Sequence, residues 1–147
     1  MKTALIAVWV VLSLGLAASA AQRTWIGGDA DWDLTPTRWT GGDEPDADDE
    51  AHFNTANAVH LANPFEQLGG LSITAGTDLF TNNNDMTIVG PVQLFGSSTN
   101  LIIDGSPSLF VADDISIESG ANLRLIDGSL TLAKLLGTGL LDIDATG

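Results

Sequence analysis

One offset constrains this chain more than any other feature of its sequence. The segments LSITAGTDL (Leu71 to Leu79) and ISIESGANL (Ile115 to Leu123) carry apolar residues at their first, third and ninth places and glycine at the sixth. The relation continues beyond them: MTI at Met86 to Ile88 and LTL at Leu130 to Leu132 stand at the same offset of 44 residues. Between these copies VQLFGSSTNL, Val92 to Leu101, has the same form with one additional residue. The pattern therefore starts at Leu71, Val92 and Ile115, with a weaker start read at Leu141, and the spacings are 21, 23 and about 26 residues. Spacings of this size are those of solenoid repeats, in which each copy buries its apolar side against the next.

Within a copy the period is two. Leu71/Ile73, Met86/Ile88, Val92/Leu94, Ile115/Ile117, Leu123/Leu125 and Leu130/Leu132 are apolar pairs around a polar or small residue. This is strand alternation, one side in and one side out. The strands are short, and turn formers punctuate them at Ala75-Gly76-Thr77-Asp78, Asn82-Asn83-Asn84-Asp85, Gly96-Ser97-Ser98, Asp104-Gly105, Ser119-Gly120 and Asp127-Gly128. The asparagine run suits a corner, where that residue tolerates left-handed backbone. About three strands fit in each copy, which is one coil of a three-sided parallel β-helix. The alternative is an antiparallel β-sandwich, with Asp104-Gly105 and Asp127-Gly128 as hairpin turns. A sandwich gives two successive segments no reason to recur at one offset, so the all-β solenoid is the expected fold. Its core should hold Ile73, Leu79, Ile88, Leu94, Leu101, Ile117, Leu123 and Leu132, each over its counterpart one turn away.

The beginning of the chain reads differently. Lys2, the apolar run from Ala4 to Leu16 and the small residues Ala18-Ser19-Ala20 have the form of a secretory signal cleaved after Ala20. The run is short for a membrane span, and none is expected in the mature chain. There is no cysteine, which excludes disulfides and thiolate metal sites. Processing removes Lys2 but none of the 19 acids, so the mature chain is more acidic than the formal −14 of the whole. Such a surface repels nucleic acid and anionic lipid, but not divalent cations or neutral glycans. Nine acids fall between Asp29 and Glu50. The expected organisation is a signal peptide at 1–20, a cap segment rich in Trp and acids at 21–57, and solenoid rungs at 58–147 that stop within a rung, as a fragment of a longer protein would.

Trp25, Trp32 and Trp39 lie seven residues apart. Gly27-Gly28 and Pro36 between them argue against a helix seam. A solenoid has open ends with an uncovered core and unpaired strands, which invite aggregation. A compact lid of bulky rings, Trp25, Trp32, Trp39 and Phe53, would close the first one. The competing reading is a platform of exposed rings for glycans.

The residues Trp25, Gly27, Gly28, Trp32, Trp39, Gly41, Pro45, Asp49, Ala51 and Phe53 follow a recognisable order. It resembles the N-terminal motif of secreted bacterial proteins with autotransporter-associated β-strand repeats. Ala30 stands where a further glycine is common, and Arg38 replaces the usual asparagine. The resemblance implies a right-handed β-helix exported to or beyond the outer membrane, with structural or adhesive roles and no catalytic residues.

Other constellations are weaker. Asp29, Asp31 and Asp33 have the spacing of the first half of a calcium loop, but Leu34 and Thr40 occupy the places where an EF-hand needs glycine and a bidentate acid. Oxygens from Asp29, Asp31, Asp33, Asp46, Asp48 and Asp49, with Asp43, Glu44 and Glu50 nearby, are a candidate calcium site. A solvated acidic loop with Asx-turns is the plainer reading. His52 and His60 lack the companions of a metal site, and His52 should face solvent on a strand. Asp113-Asp114 invites comparison with paired catalytic acids, yet neighbours on a strand point to opposite faces and make no dyad by themselves; a plain turn is the expectation there. No catalytic residue is assigned and no cofactor beyond calcium is considered. The function expected is a non-enzymatic exported structural or adhesive module at the bacterial cell surface, with extracellular glycans or other surface proteins as partners. The alternative is a domain of the same fold that binds or cleaves polysaccharide.

Overall fold

In the computed structural model, which describes residues 21–32, 38–62, 65–105 and 107–144, the repeat is realised as a parallel β-solenoid of about four turns. Among the described residues fourteen strands build it: β1 (Gln22–Thr24), β2 (Ala30–Trp32), β3 (Glu50–Phe53), β4 (Ala58–Leu61), β5 (Phe65–Leu68), β6 (Gly70–Ile73), β7 (Asp78–Phe80), β8 (Met86–Ile88), β9 (Val92–Leu94), β10 (Thr99–Ile103), β11 (Ser108–Ile117), β12 (Ala121–Leu125), β13 (Ser129–Gly137) and β14 (Leu140–Ile143).

The strands form three faces. On the first, β1, β3, β6, β9 and the second half of β11 stack in that order. On the second the order is β2, β4, β7, β10, β12, β14. On the third, β5 and β8 lie beside the first half of β11. The long strand β13 pairs with β11 along both its halves. Every pairing between these strands is parallel, which excludes the sandwich. A chain can place parallel neighbours only after a crossover, and here the crossover is the rest of the turn.

Register turns the sequence repeat into columns. Ile73 lies beside Leu94, and Leu94 beside Ile117. Leu79, Leu101 and Leu123 form a second column, and Ile88, Val111 and Leu132 part of a third. The offset of 44 is thus two turns. Ile73, Leu79, Ile88, Leu94, Leu101, Ile117 and Leu123 are buried as expected. Burying an aliphatic side chain of this size stabilises by about 1.5–3 kcal/mol, so the columns are the main favourable term. Leu132 departs from the expectation and is only partly buried, because no further described turn lies over it.

Two local expectations are corrected. Leu141 does not restart the pattern of Ile115. It pairs with Leu123 on the second face, and the counterpart of Ile115 in the last turn is Leu135. Asp113-Asp114 is not a separate turn. It lies inside β11, where the register shifts between Val111 and Asp114 and the strand bends from the third face to the first without interruption. Earlier turns break at this corner with Gly69-Gly70 and Gly90-Pro91. The approach there is close: a Cβ on Gly90 would stand 2.0 Å from the Gly69 carbonyl oxygen. The asparagine corner behaves as expected, with Asn82 and Asn83 at φ of 52° and 64°.

Buried polar groups are satisfied by neighbouring turns. Thr77, fully buried, donates its hydroxyl to the carbonyls of Thr74 and Thr55. Thr99 Oγ1 donates to the Phe95 carbonyl and accepts from the Gly76 amide.

Candidate functional site

The aromatic cluster stands at the N-terminal end of the stack. Trp25 follows β1, and its amide donates to the His52 carbonyl of β3 at 2.9 Å. On the other side of the same strand the chain folds back. Ile26 N donates to Arg38 O at 2.7 Å, Thr40 N to Thr24 O at 2.9 Å, and Thr24 N to Thr40 Oγ1 at 2.9 Å. Residues 38–40 thus run antiparallel beside Thr24 to Ile26, at the end of β1, and Trp25 and Trp39 form an isolated antiparallel bridge. Trp32 ends β2, the outermost strand of the second face, beside Leu61.

This backbone path brings four rings together. Trp39 lies 5.1 Å from Trp25, 5.2 Å from Trp32 and 5.3 Å from Phe53, centroid to centroid. Trp32 and Phe53 are 5.4 Å apart, and Trp25 and Phe53 are 6.0 Å apart. The tilted and edge-to-face arrangements are those the ring quadrupoles favour. All four residues are at most 1% exposed. Gly27 is required beside them, since a Cβ there would come 2.7 Å from the Trp25 ring and 2.5 Å from Arg38 Cδ. The Trp25 indole donates to the Gly28 carbonyl at 2.9 Å, and the Arg38 guanidinium sits 6.0 Å over the Trp25 ring. The Trp39 indole nitrogen is buried with no hydrogen-bond partner among the described residues.

The acids are engaged separately. Asp49, 6% exposed, pairs with Arg23 Nε at 3.0 Å. Asp29 Oδ1 accepts from the Ala58 amide at 2.8 Å, and Asp46 Oδ1 from the Asp48 amide at 3.0 Å. Asp31 lies in β2, in register with His60. Asp33 falls outside the described residues, as do residues 1–20, where a signal peptide was expected, and Pro36. Among the described residues no group of three or more His, Asp or Glu side chains could hold a metal ion. His52 sits half-buried on β3 between buried Ala51 and Phe53.

Three exterior arrangements escaped the sequence reading. Arg23 reaches over the stack end to Asp49. His60 stacks on Phe80 at 4.5 Å and 9°. Asn122 Nδ2 donates to Asn100 Oδ1 at 2.8 Å, and Asn100 Nδ2 donates to Asp78 Oδ1, making a ladder along the second face. Residues 78, 100 and 122 stand 22 apart, as register partners do, and that spacing was the available signal. No family model, no curated protein and no solved structure matches this chain.

Proposed function

We propose that this chain is an exported, non-enzymatic structural or adhesive module at the bacterial cell surface, related to proteins with autotransporter-associated β-strand repeats. Its solenoid supplies length and a display surface, and the tryptophan cluster closes the N-terminal end. The observation that carries the reading is the burial of Trp25, Trp32, Trp39 and Phe53 at the outermost turn. Rings placed there stabilise the end of the stack and do not themselves offer a face to a glycan. The antiparallel segment at 38–40 supports the same role, because it takes up the outward backbone groups of Thr24 at the end of β1 and the amide of Ile26.

Export and partners follow from the sequence. Residues 1–20 direct secretion in this reading, and the outward Ser, Thr, Asn and Asp side chains meet extracellular glycans or other surface proteins. Expression of the whole chain in a Gram-negative host tests it. The protein should be recovered outside the cytoplasm with Ala21 as its first residue, and it should release no sugars from a panel of polysaccharides. An unprocessed cytoplasmic product would overturn export, and cleavage of any glycan would overturn the non-enzymatic reading.

A further inference from the structure

We propose that Asp127-Gly128 is a site of spontaneous covalent modification, where the aspartate closes on the next amide and reopens as isoaspartate, and that this change loosens the start of β13. The site lies at the corner between β12 and β13 and is independent of the surface role.

An aspartate followed by glycine occurs twice, at Asp104-Gly105 after β10 and at Asp127-Gly128 after β12. The two corners correspond one turn apart, yet their carboxyl groups are placed differently. Asp127 Oδ1 accepts from the amide of Gly128 at 2.7 Å. That contact keeps the nitrogen within roughly 4 Å of Cγ, near the roughly 3–3.5 Å of atoms poised to react. Both residues are exposed. Glycine brings no side chain to screen the nitrogen. Asp104 is turned toward the preceding turn, where its Oδ1 accepts from the Asn82 amide at 2.7 Å. The Asn83 side chain fills the space beside Gly105, and Asp104 and Gly105 are half-buried. Asp113 gives a second comparison. Its Oδ1 accepts from the Asp114 amide at 2.9 Å, but that nitrogen carries a residue with a side chain and lies inside β11.

The reaction needs no partner but water. The Gly128 nitrogen bonds to Cγ of the neutral acid, and the Cγ–Oδ1 bond breaks. Oδ1 leaves as water, taking the proton of the acid and the amide proton that already points at it. The product is a five-membered imide. Water then adds to one of its two carbonyl carbons. Breaking the bond from nitrogen to Cγ restores aspartate. Breaking the bond from nitrogen to the Asp127 carbonyl carbon leaves the chain joined through Cγ. This isoaspartate has one more carbon in the main chain, a longer path by about 1.5 Å. The corner has little room for it. Ile126 N donates to Ile103 O at 2.9 Å on one side, and Ser129 N to Pro107 O at 2.9 Å on the other. Gly128 lies so close that a Cβ on it would stand 2.3 Å from the Pro107 carbonyl oxygen. Ser129 is exposed and is the side that yields, and its pairing with Ser108 is where β13 begins.

Ageing the purified chain in warm, mildly acidic buffer tests this by mass spectrometry. Trypsin, cutting after Arg124 and Lys134, releases residues 125–134 with Asp127 as their acid. Chymotrypsin, cutting after Phe95 and Phe110, separates Asp104 from Asp113. Electron-transfer fragmentation then distinguishes isoaspartate from aspartate at each position. In the folded chain isoaspartate at 127 should exceed that at 104 by about tenfold or more, the advantage of a held geometry, and Asp113 should also lag. In urea the two aspartyl-glycine pairs should converge. Hydrogen exchange in the aged chain should quicken over Ser129 to Leu132 and stay unchanged in β7 and β10. Asp127→Glu, whose six-membered imide closes far more slowly, should age without either change. Aspartate alone at 127 after ageing, Asp104 keeping pace in the folded chain, a gap that survives in urea, or unaltered exchange at the start of β13 would each overturn the proposal.

Discussion

Replacing Trp39 by alanine separates a ring that closes the stack from one that merely fills space. The side chain is 1% exposed and touches three other rings at 5.1 to 5.3 Å. Truncating a buried aromatic costs about 3–5 kcal/mol, and each well-placed ring pair adds about 0.5–1.5 kcal/mol beyond area, which pushes the cost upward. In the other direction, removing a buried N–H without a partner returns about 1–3 kcal/mol. The net expectation is a loss of about 4 kcal/mol, a large share of the roughly 5–15 kcal/mol that holds a domain of this size. The loss should also be local, because each turn of a solenoid touches only its neighbours. Hydrogen exchange should accelerate first in β1, β2 and β3, while β9, β10 and β12 stay protected. Trp39→Phe keeps a ring and drops the N–H, and it should lie within about 1 kcal/mol of the parent. Urea unfolding gives the totals and exchange read by mass spectrometry gives the places. An unchanged midpoint in Trp39→Ala, or acceleration spread evenly over the stack, would refute the reasoning.

Ile117→Ala removes the lower member of the Ile73–Leu94–Ile117 column and should cost about 2–5 kcal/mol in urea unfolding. Thr77→Val keeps the shape but takes the hydroxyl donor from the Thr55 carbonyl, while the Thr74 carbonyl keeps the Thr77 amide, so its melting should report a loss of about 1–3 kcal/mol. Gly90→Ala presses a methyl group onto the Gly69 carbonyl, which is backbone and cannot rotate away, and denaturation should register a loss of about 1–3 kcal/mol.

How much of this could be read from the chain depends on which signal each feature leaves. The columns were legible because inward positions must be apolar in every turn, so Ile73 and Ile117 had to stand at a repeat distance. Leu141 was misplaced because the last turn is shorter. Leu123 and Leu141 are register partners 18 residues apart, where Leu101 and Leu123 are 22 apart, and a fixed spacing overshoots. The bend at Asp113 was read as a turn because acids favour turns, whereas a continuous strand rounds the corner there through a bulge. At the N-terminal end it was the open end of a stack, not the spacing of the tryptophans, that pointed to a lid of rings, and Trp25, Trp32 and Trp39 are at most 1% exposed. The antiparallel return of residues 38–40 left no periodic trace, since it happens once. Nor did the Arg23–Asp49 pair, which joins residues 26 apart across the end of the stack.

Register in this stack also fixes how far apart in sequence its contacts lie. Ala30 finds Val59, Leu79 finds Leu101, and Leu123 finds Leu141, so each pairing closes a loop of about 18 to 29 residues. Loop closure rises only as the logarithm of length, by about 0.6 kcal/mol per doubling, so every turn pays nearly the same entropy as the one before. Folding rate in small proteins follows the mean separation of contacts relative to chain length. A solenoid that gains turns keeps the separation and lengthens the chain, so its topology grows more local as it grows longer. The slow event is the first pairing of two turns. Each later turn adds to an edge that already exists, at a rate that does not depend on how many turns precede it.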